Sequence, residues 1–175
     1  MNVLPALLPP LHAPVTLQAT LEPMSEWATL VGFLLVPGFI ATLLWSPFLI
    51  VDRIRALLAT LPPTGSIVPT YLLAGVGGSI PYILAATLVV TTVDSAGVAW
   101  SNAFINVAVL LFVGYAAGVP VITNVVLPRL DLDWDPTGYG PSTWVLLAAG
   151  GASYALLFAI PFVVVSFLLA LPGGY

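Results

Sequence analysis

A chain of 175 residues that is 60% hydrophobic and carries only three arginines and seven acids cannot hide its apolar surface in a water-soluble fold, where roughly 25% of residues are charged. With no cysteine, disulfides, iron–sulfur clusters and thiolate catalysis are excluded. A net charge of −4, with no lysine, argues against nucleic-acid or anionic-lipid binding through basic patches.

The composition instead fits an all-α integral membrane protein. About 20 apolar residues per helix cover the ~30 Å hydrocarbon core of a bilayer. The apolar runs are continuous and do not alternate, which argues for helices over barrel strands. The length suits one compact four-helix membrane domain at 27–175, preceded by an outer interfacial segment at 1–26.

Residues 1–26 hold Pro5, Pro9, Pro10, Pro14 and Pro23 among leucines. The segment lacks a positive start, and its prolines interrupt the apolar run, so it reads as an outer interfacial segment and not as a cleaved signal peptide. Glu22 and Glu26 then lead into the first helix, where acids suit the N-terminal dipole.

Four spans follow, at about 28–51, 67–93, 98–127 and 143–171. Asp52-Arg53-Ile54-Arg55 ends the first, Asp94 the second, Pro128-Arg129 the third and Pro172-Gly173-Gly174 the fourth. Arg53, Arg55 and Arg129 are the topology anchors. Arginine-bearing loops stay cytoplasmic, which places 52–66 and 128–142 inside and both termini outside the cell membrane. Trp27 and Trp100 mark the outer interface, and Trp45, Trp134 and Trp144 the inner one.

Spans one and three align when shifted, pairing Gly38 and Arg53 with Gly114 and Arg129. Two repeated helical hairpins would produce this, as in membrane folds built from parallel repeats. A chain so rich in Leu, Ala and Val also gives such matches by chance, and chance is the stronger reading. The acidic, lysine-free composition resembles that of membrane proteins from salt-in halophiles.

Small residues recur on the spans: Gly75, Gly78 and Ser79 on the second, Gly114 and Gly118 as a GxxxG on the third, and Gly150 and Gly151 on the fourth. Such faces let backbones approach where no hydrophobic effect drives association. Packing inside the bundle is the first expectation for them, and a homo-oligomer seam the second.

Every span also contains proline: Pro37 and Pro47, Pro81, Pro120 and Pro161. Each removes a helical hydrogen bond, kinks the helix and frees the carbonyl four residues earlier, here on Phe33, Leu43, Gly77, Ala116 and Leu157. A bare carbonyl in lipid needs a donor. Tyr82, Tyr115 and Tyr154 lie at matching depth and are expected to face inward and supply it. With Pro81, Pro120, Pro161 and Asn106 they form the candidate central polar layer.

That layer could line a substrate path, because broken helices near the midplane are a transporter feature. No ionisable group accompanies it, although transport paths usually carry one. His12 is the sole histidine, which leaves no basis for bis-histidine haem or a Ser-His-Asp triad. The run Asp131-Leu-Asp133-Trp-Asp135 starts like a calcium loop, but Pro136 and Ser142 stand where glycine and a bidentate glutamate belong. An acidic, solvated loop able to dock a soluble partner at 128–142 is the plainer reading.

The sequence thus leads to a non-enzymatic, multi-pass membrane protein without cofactor or metal. It would act as an accessory or structural subunit alongside other membrane subunits or as a homo-oligomer. The alternative is a small transporter or channel with a tyrosine- and proline-lined path.

Overall fold

The computed structural model describes Gly32 and residues 35–62, 65–94, 97–136 and 138–171. The chain separates into two compact units, Met1–Leu34 and Leu35–Tyr175. The expected interfacial segment at 1–26, the start of the first span and the C-terminal residues lie outside the described residues. Among the described residues of the second unit, every regular element is helical.

Three helical stretches are long and apolar enough to cross a membrane: Ile67–Thr92, Gly97–Arg129 and Pro141–Ala170. They match the second, third and fourth expected spans to within a few residues. They support membrane association of the chain, since such lengths of apolar helix suit the hydrocarbon core. In chain order the helices are α1 (Leu35–Ile50), α2 (Asp52–Thr60), α3 (Ile67–Gly77), α4 (Ile80–Thr92), α5 (Gly97–Arg129) and α6 (Pro141–Ala170).

The stretch expected to be a loop after span one is partly helix. α1 closes in a tight 3₁₀ turn, Ser46–Ile50, with Pro47 in its first positions. The chain then bends by 116° at Val51 into α2. Ile54, Leu57 and Leu58 repeat at helical spacing and are buried, while Asp52 and Arg55 on the opposite side are exposed. This short amphipathic helix packs on a cluster made with Tyr71, Leu127, Trp134 and Leu147. Its charges had marked it as loop in the sequence.

α5 and α6 pack along their lengths, α4 packs on α5, and α2 contacts α3. Gly151 permits the α5–α6 approach: a Cβ there would stand 2.4 Å from the Tyr115 carbonyl oxygen. Near its end α5 widens into a π turn at Ile122–Val126, just after Pro120. It then stops in a Schellman motif. Leu132 N–H donates to Leu127 O at 3.0 Å, Asp131 N–H donates to Pro128 O at 3.2 Å, and Asp131 takes the left-handed φ of 60° that glycine more often fills. Asp tolerates this conformation because its short polar side chain bonds locally.

Serine and threonine hydroxyls in the apolar helices largely bond their own backbone one turn back, as in Thr42 to Gly38 O, Thr87 to Ile83 O, Thr123 to Val119 O and Ser166 to Phe162 O. A hydroxyl in apolar surroundings is satisfied this way without a partner helix.

Candidate functional site at the helix break

The site is built on the interruption between α3 and α4. Pro81 has no N–H, so the Gly77 carbonyl loses its regular donor. The chain responds by tightening. Ser79 N–H bonds Val76 O at 3.0 Å, and Tyr82 N–H bonds Ser79 O at 3.1 Å. Both amides thereby reach back three residues in place of four, which deprives the carbonyls of Gly75 and Gly78 of their regular partners. The Tyr154 hydroxyl of α6 donates to Gly75 O, and the Tyr115 hydroxyl of α5 donates to Gly78 O. Two neighbouring helices thus satisfy two of the carbonyls that the break exposes.

These acceptors differ from those expected. Proline sterics pointed to the carbonyls of Gly77, Ala116 and Leu157, whereas the tyrosines reach Gly75 O and Gly78 O, which the tightened turn frees in addition. The Tyr82 hydroxyl donates to Ala155 O of α6 at a long 3.4 Å. Tyr71, which sequence reasoning passed over, donates to Thr42 O of α1. It sits four and seven residues before Gly75 and Gly78 on the same helical face, and that spacing was the available signal.

The rings form one continuous stack. Tyr82 and Tyr115 centroids lie 5.3 Å apart, Tyr115 and Tyr154 5.8 Å, and Tyr82 and Phe158 4.5 Å. Trp45 of α1 joins from the other side, 6.0 Å from Tyr71 and edge-on to Tyr154 at 6.2 Å. Its indole N–H donates to Gly150 O at 3.0 Å, tying α1 to α6. Offset and edge-on contacts of this kind are favoured by the ring quadrupole.

Glycines set the close approaches. A Cβ on Gly75 would lie 2.3 Å from Thr42 Oγ1, and one on Gly38 would lie 2.4 Å from Ser79 Oγ, so α1 meets the break at glycine on both sides. A Cβ on Gly78 would stand 3.1 Å from the Tyr154 ring and hydroxyl. Gly150 has ordinary room beside Trp45, at 3.5 Å. Gly114 and Gly118 meet nothing within 4 Å among the described residues, so the GxxxG face takes no part in the described packing.

The remaining members of the expected layer are placed elsewhere. Pro81 and Pro161 are exposed and do not face the tyrosines; Pro120 is buried. Asn106 is exposed on α5. Asn124, in the π turn, is 8% exposed, and neither atom of its amide group has a partner.

At the end of the unit where α2 and the start of α6 meet, Arg53 donates to Ser142 Oγ at 2.9 Å and to Thr143 Oγ1 at 3.0 Å. Thr143 Oγ1 in turn donates to Asp135 Oδ2 at 2.9 Å. Arg55 makes only an exposed 3.8 Å ion pair with Asp52, worth little. Arg129 ends α5 and leads into the same loop.

Of the described residues in the loop after α5, Leu130, Asp131, Asp133, Pro136 and Gly138 are exposed, in keeping with a solvated loop. Trp134 and Asp135 are buried, and the Trp134 indole donates to Thr123 O at 2.7 Å. Asp131 terminates a helix, Asp133 accepts from the Tyr139 hydroxyl at 2.5 Å, and Asp135 accepts from Thr143. The carboxylates of Asp133 and Asp135 therefore have separate partners, and Asp131 serves through its backbone. Among the described residues no group of three His, Cys, Asp or Glu side chains could hold a metal ion. Desolvation first, and then the Asp133 carboxylate, push the Tyr139 hydroxyl above its ordinary value of 10.0.

A family model described as "Domain of unknown function (DUF8162)" matches residues 25–173, and the chain belongs to that family. No curated protein and no solved structure matches the chain.

Proposed function

We propose that this member of the DUF8162 family is a non-enzymatic, multi-pass membrane protein. It works as an accessory or structural subunit of a membrane assembly, with other subunits or with copies of itself. The observation that carries this reading is the engagement of the core hydroxyls. Those of Tyr71, Tyr82, Tyr115 and Tyr154 each bond a backbone carbonyl on another helix. Such bonds hold a broken helix in place and leave those groups committed to packing. A permeation path needs polar groups that can exchange partners with a passing solute.

The proposed topology has four crossings. Leu35–Ile50 spans about 24 Å at 1.5 Å per residue, and residues before 35 would complete the first crossing. α2 would then lie along the membrane surface, with its apolar face inward. Arg53, Arg55 and Arg129 fall at the end shared by α2, the 130–140 loop and the start of α6, which is the cytoplasmic end under the positive-inside rule. Both termini are then outside. A soluble partner docking at 128–142 would read Arg129, Leu130, Asp131 and Asp133, because Trp134 and Asp135 are buried.

A small transporter or channel is the second reading, favoured by the break itself. A helix interrupted partway through a span is how many transporters expose backbone to a substrate. Purification in mild detergent, with mass spectrometry of co-purifying chains, tests the first reading, which expects a stoichiometric partner or an oligomer. Flux through reconstituted vesicles that tracks the protein, and is lost in Tyr115→Phe, would move the assignment to transport.

A further inference from the structure

We infer that the space beside the helix break is a binding site for one hydrocarbon chain of a membrane lipid. α4 packs more closely on α5 than α3 does beyond the break. A cavity of about 190 Å³ lies there, with walls from α1, α2, α3, α5 and α6. Ala74 and Gly78 beside the break, Tyr115 and Val119 of α5, Trp45 of α1 and Leu58 of α2 are among its walls.

The walls are almost wholly apolar, and the chemistry explains why. The hydroxyls of Tyr115 and Tyr154 are turned onto the carbonyls of Gly78 and Gly75, so ring carbon faces the space. A water needs two to four polar partners to stay in a cavity, and an apolar cavity of about 150 Å³ stays dry and admits benzene or xenon. This one is larger and as apolar, and is half open to its surroundings.

The mouth identifies the occupant. Ala74 is exposed, beside exposed Leu72 and Leu73, within Ile67–Thr92, a helix fit to span the bilayer. An opening on that face looks into hydrocarbon. A chain end entering there restores the dispersion contacts that an empty void forfeits. The inference rests on the membrane placement of α3 and is independent of the subunit reading.

The test uses the full chain in phosphatidylcholine vesicles doped with a phosphatidylcholine bearing a mid-chain diazirine. After irradiation, digestion and mass spectrometry, adducts are expected on cavity-wall residues Trp45, Tyr115 and Val119 as well as on outward-facing Phe167. Ala74→Trp, which blocks the mouth, should lower the cavity adducts at least fivefold and leave those on Phe167 unchanged. Wild-type adducts confined to outward-facing residues would overturn the inference without any variant. So would cavity adducts that persist in a folded Ala74→Trp protein.

Discussion

Replacing Gly75 by alanine isolates the contact on which α1 and the broken helix depend. The new methyl would stand 2.3 Å from Thr42 Oγ1, 2.6 Å from its Cγ2 and 2.9 Å from its Cβ. Thr42 cannot swing aside. It is fully buried, its hydroxyl bonds Gly38 O at 2.6 Å, and its β-branched side chain is stiff. α3 must therefore back away from α1, which stretches the bonds from Tyr71 to Thr42 O and from Tyr154 to Gly75 O. Overpacking costs about 1–3 kcal/mol and each of the two weakened hydrogen bonds about 0.5–1.5 kcal/mol, so a loss of about 2–6 kcal/mol is expected. Gly77→Ala, two residues on, meets nothing within 4 Å and should be neutral or stabilising by up to ~1 kcal/mol, through the lower backbone entropy of alanine. Both are measured by reversible unfolding in mixed micelles, with Thr42→Ala in the Gly75→Ala background expected to recover part of the loss. Equal stability of the Gly75→Ala and Gly77→Ala proteins would refute the reasoning.

Other expectations follow from the same geometry. Tyr115→Phe and Tyr154→Phe each leave a carbonyl of the break unsatisfied and should cost about 1–3 kcal/mol. Tyr82→Phe gives up only a 3.4 Å contact and should cost less than either in the same unfolding assay. Trp134→Phe removes the 2.7 Å bond to Thr123 O, and faster hydrogen exchange through residues 122–136 would register the loosened π turn. The Tyr139 hydroxyl is raised above 10.0, so the stability from its bond to Asp133 is fully present below about pH 10 and is lost as pH climbs through the raised value. An ultraviolet difference titration of wild type against Tyr139→Phe should place its ionisation above the ordinary tyrosine range. Gly114→Leu meets open space in the described fold and should leave stability unchanged. A loss of oligomer on size-exclusion chromatography would place the GxxxG face in an intermolecular seam.

The long apolar runs were legible because span length is a demand of the bilayer itself, and a run of about 20 residues admits few other readings. α2 was hidden for the opposite reason. Its nine residues open on Asp52, Arg53 and Arg55, and a short charged stretch after a span resembles a loop until its buried face is seen. The inward role of the tyrosines could be argued from depth and composition. Their acceptors could not, because Pro81 fixes only the loss at Gly77, and the choice of three-residue bonds by Ser79 and Tyr82 is a local geometric response. Trp45 read as an interfacial marker, yet its ring lies within the aromatic stack and its N–H holds Gly150 O. A single aromatic near a span end carries no pattern that separates the two roles. The Asp131-x-Asp133-x-Asp135 spacing starts like a shared cation loop, whereas Asp133 holds Tyr139 and Asp135 holds Thr143.

Native mass spectrometry of the protein released directly from its own membrane tests the central claim most directly. The account predicts a defined complex, either a homo-oligomer or this chain in fixed stoichiometry with another membrane subunit. Release as a lone monomer across mild conditions would contradict it.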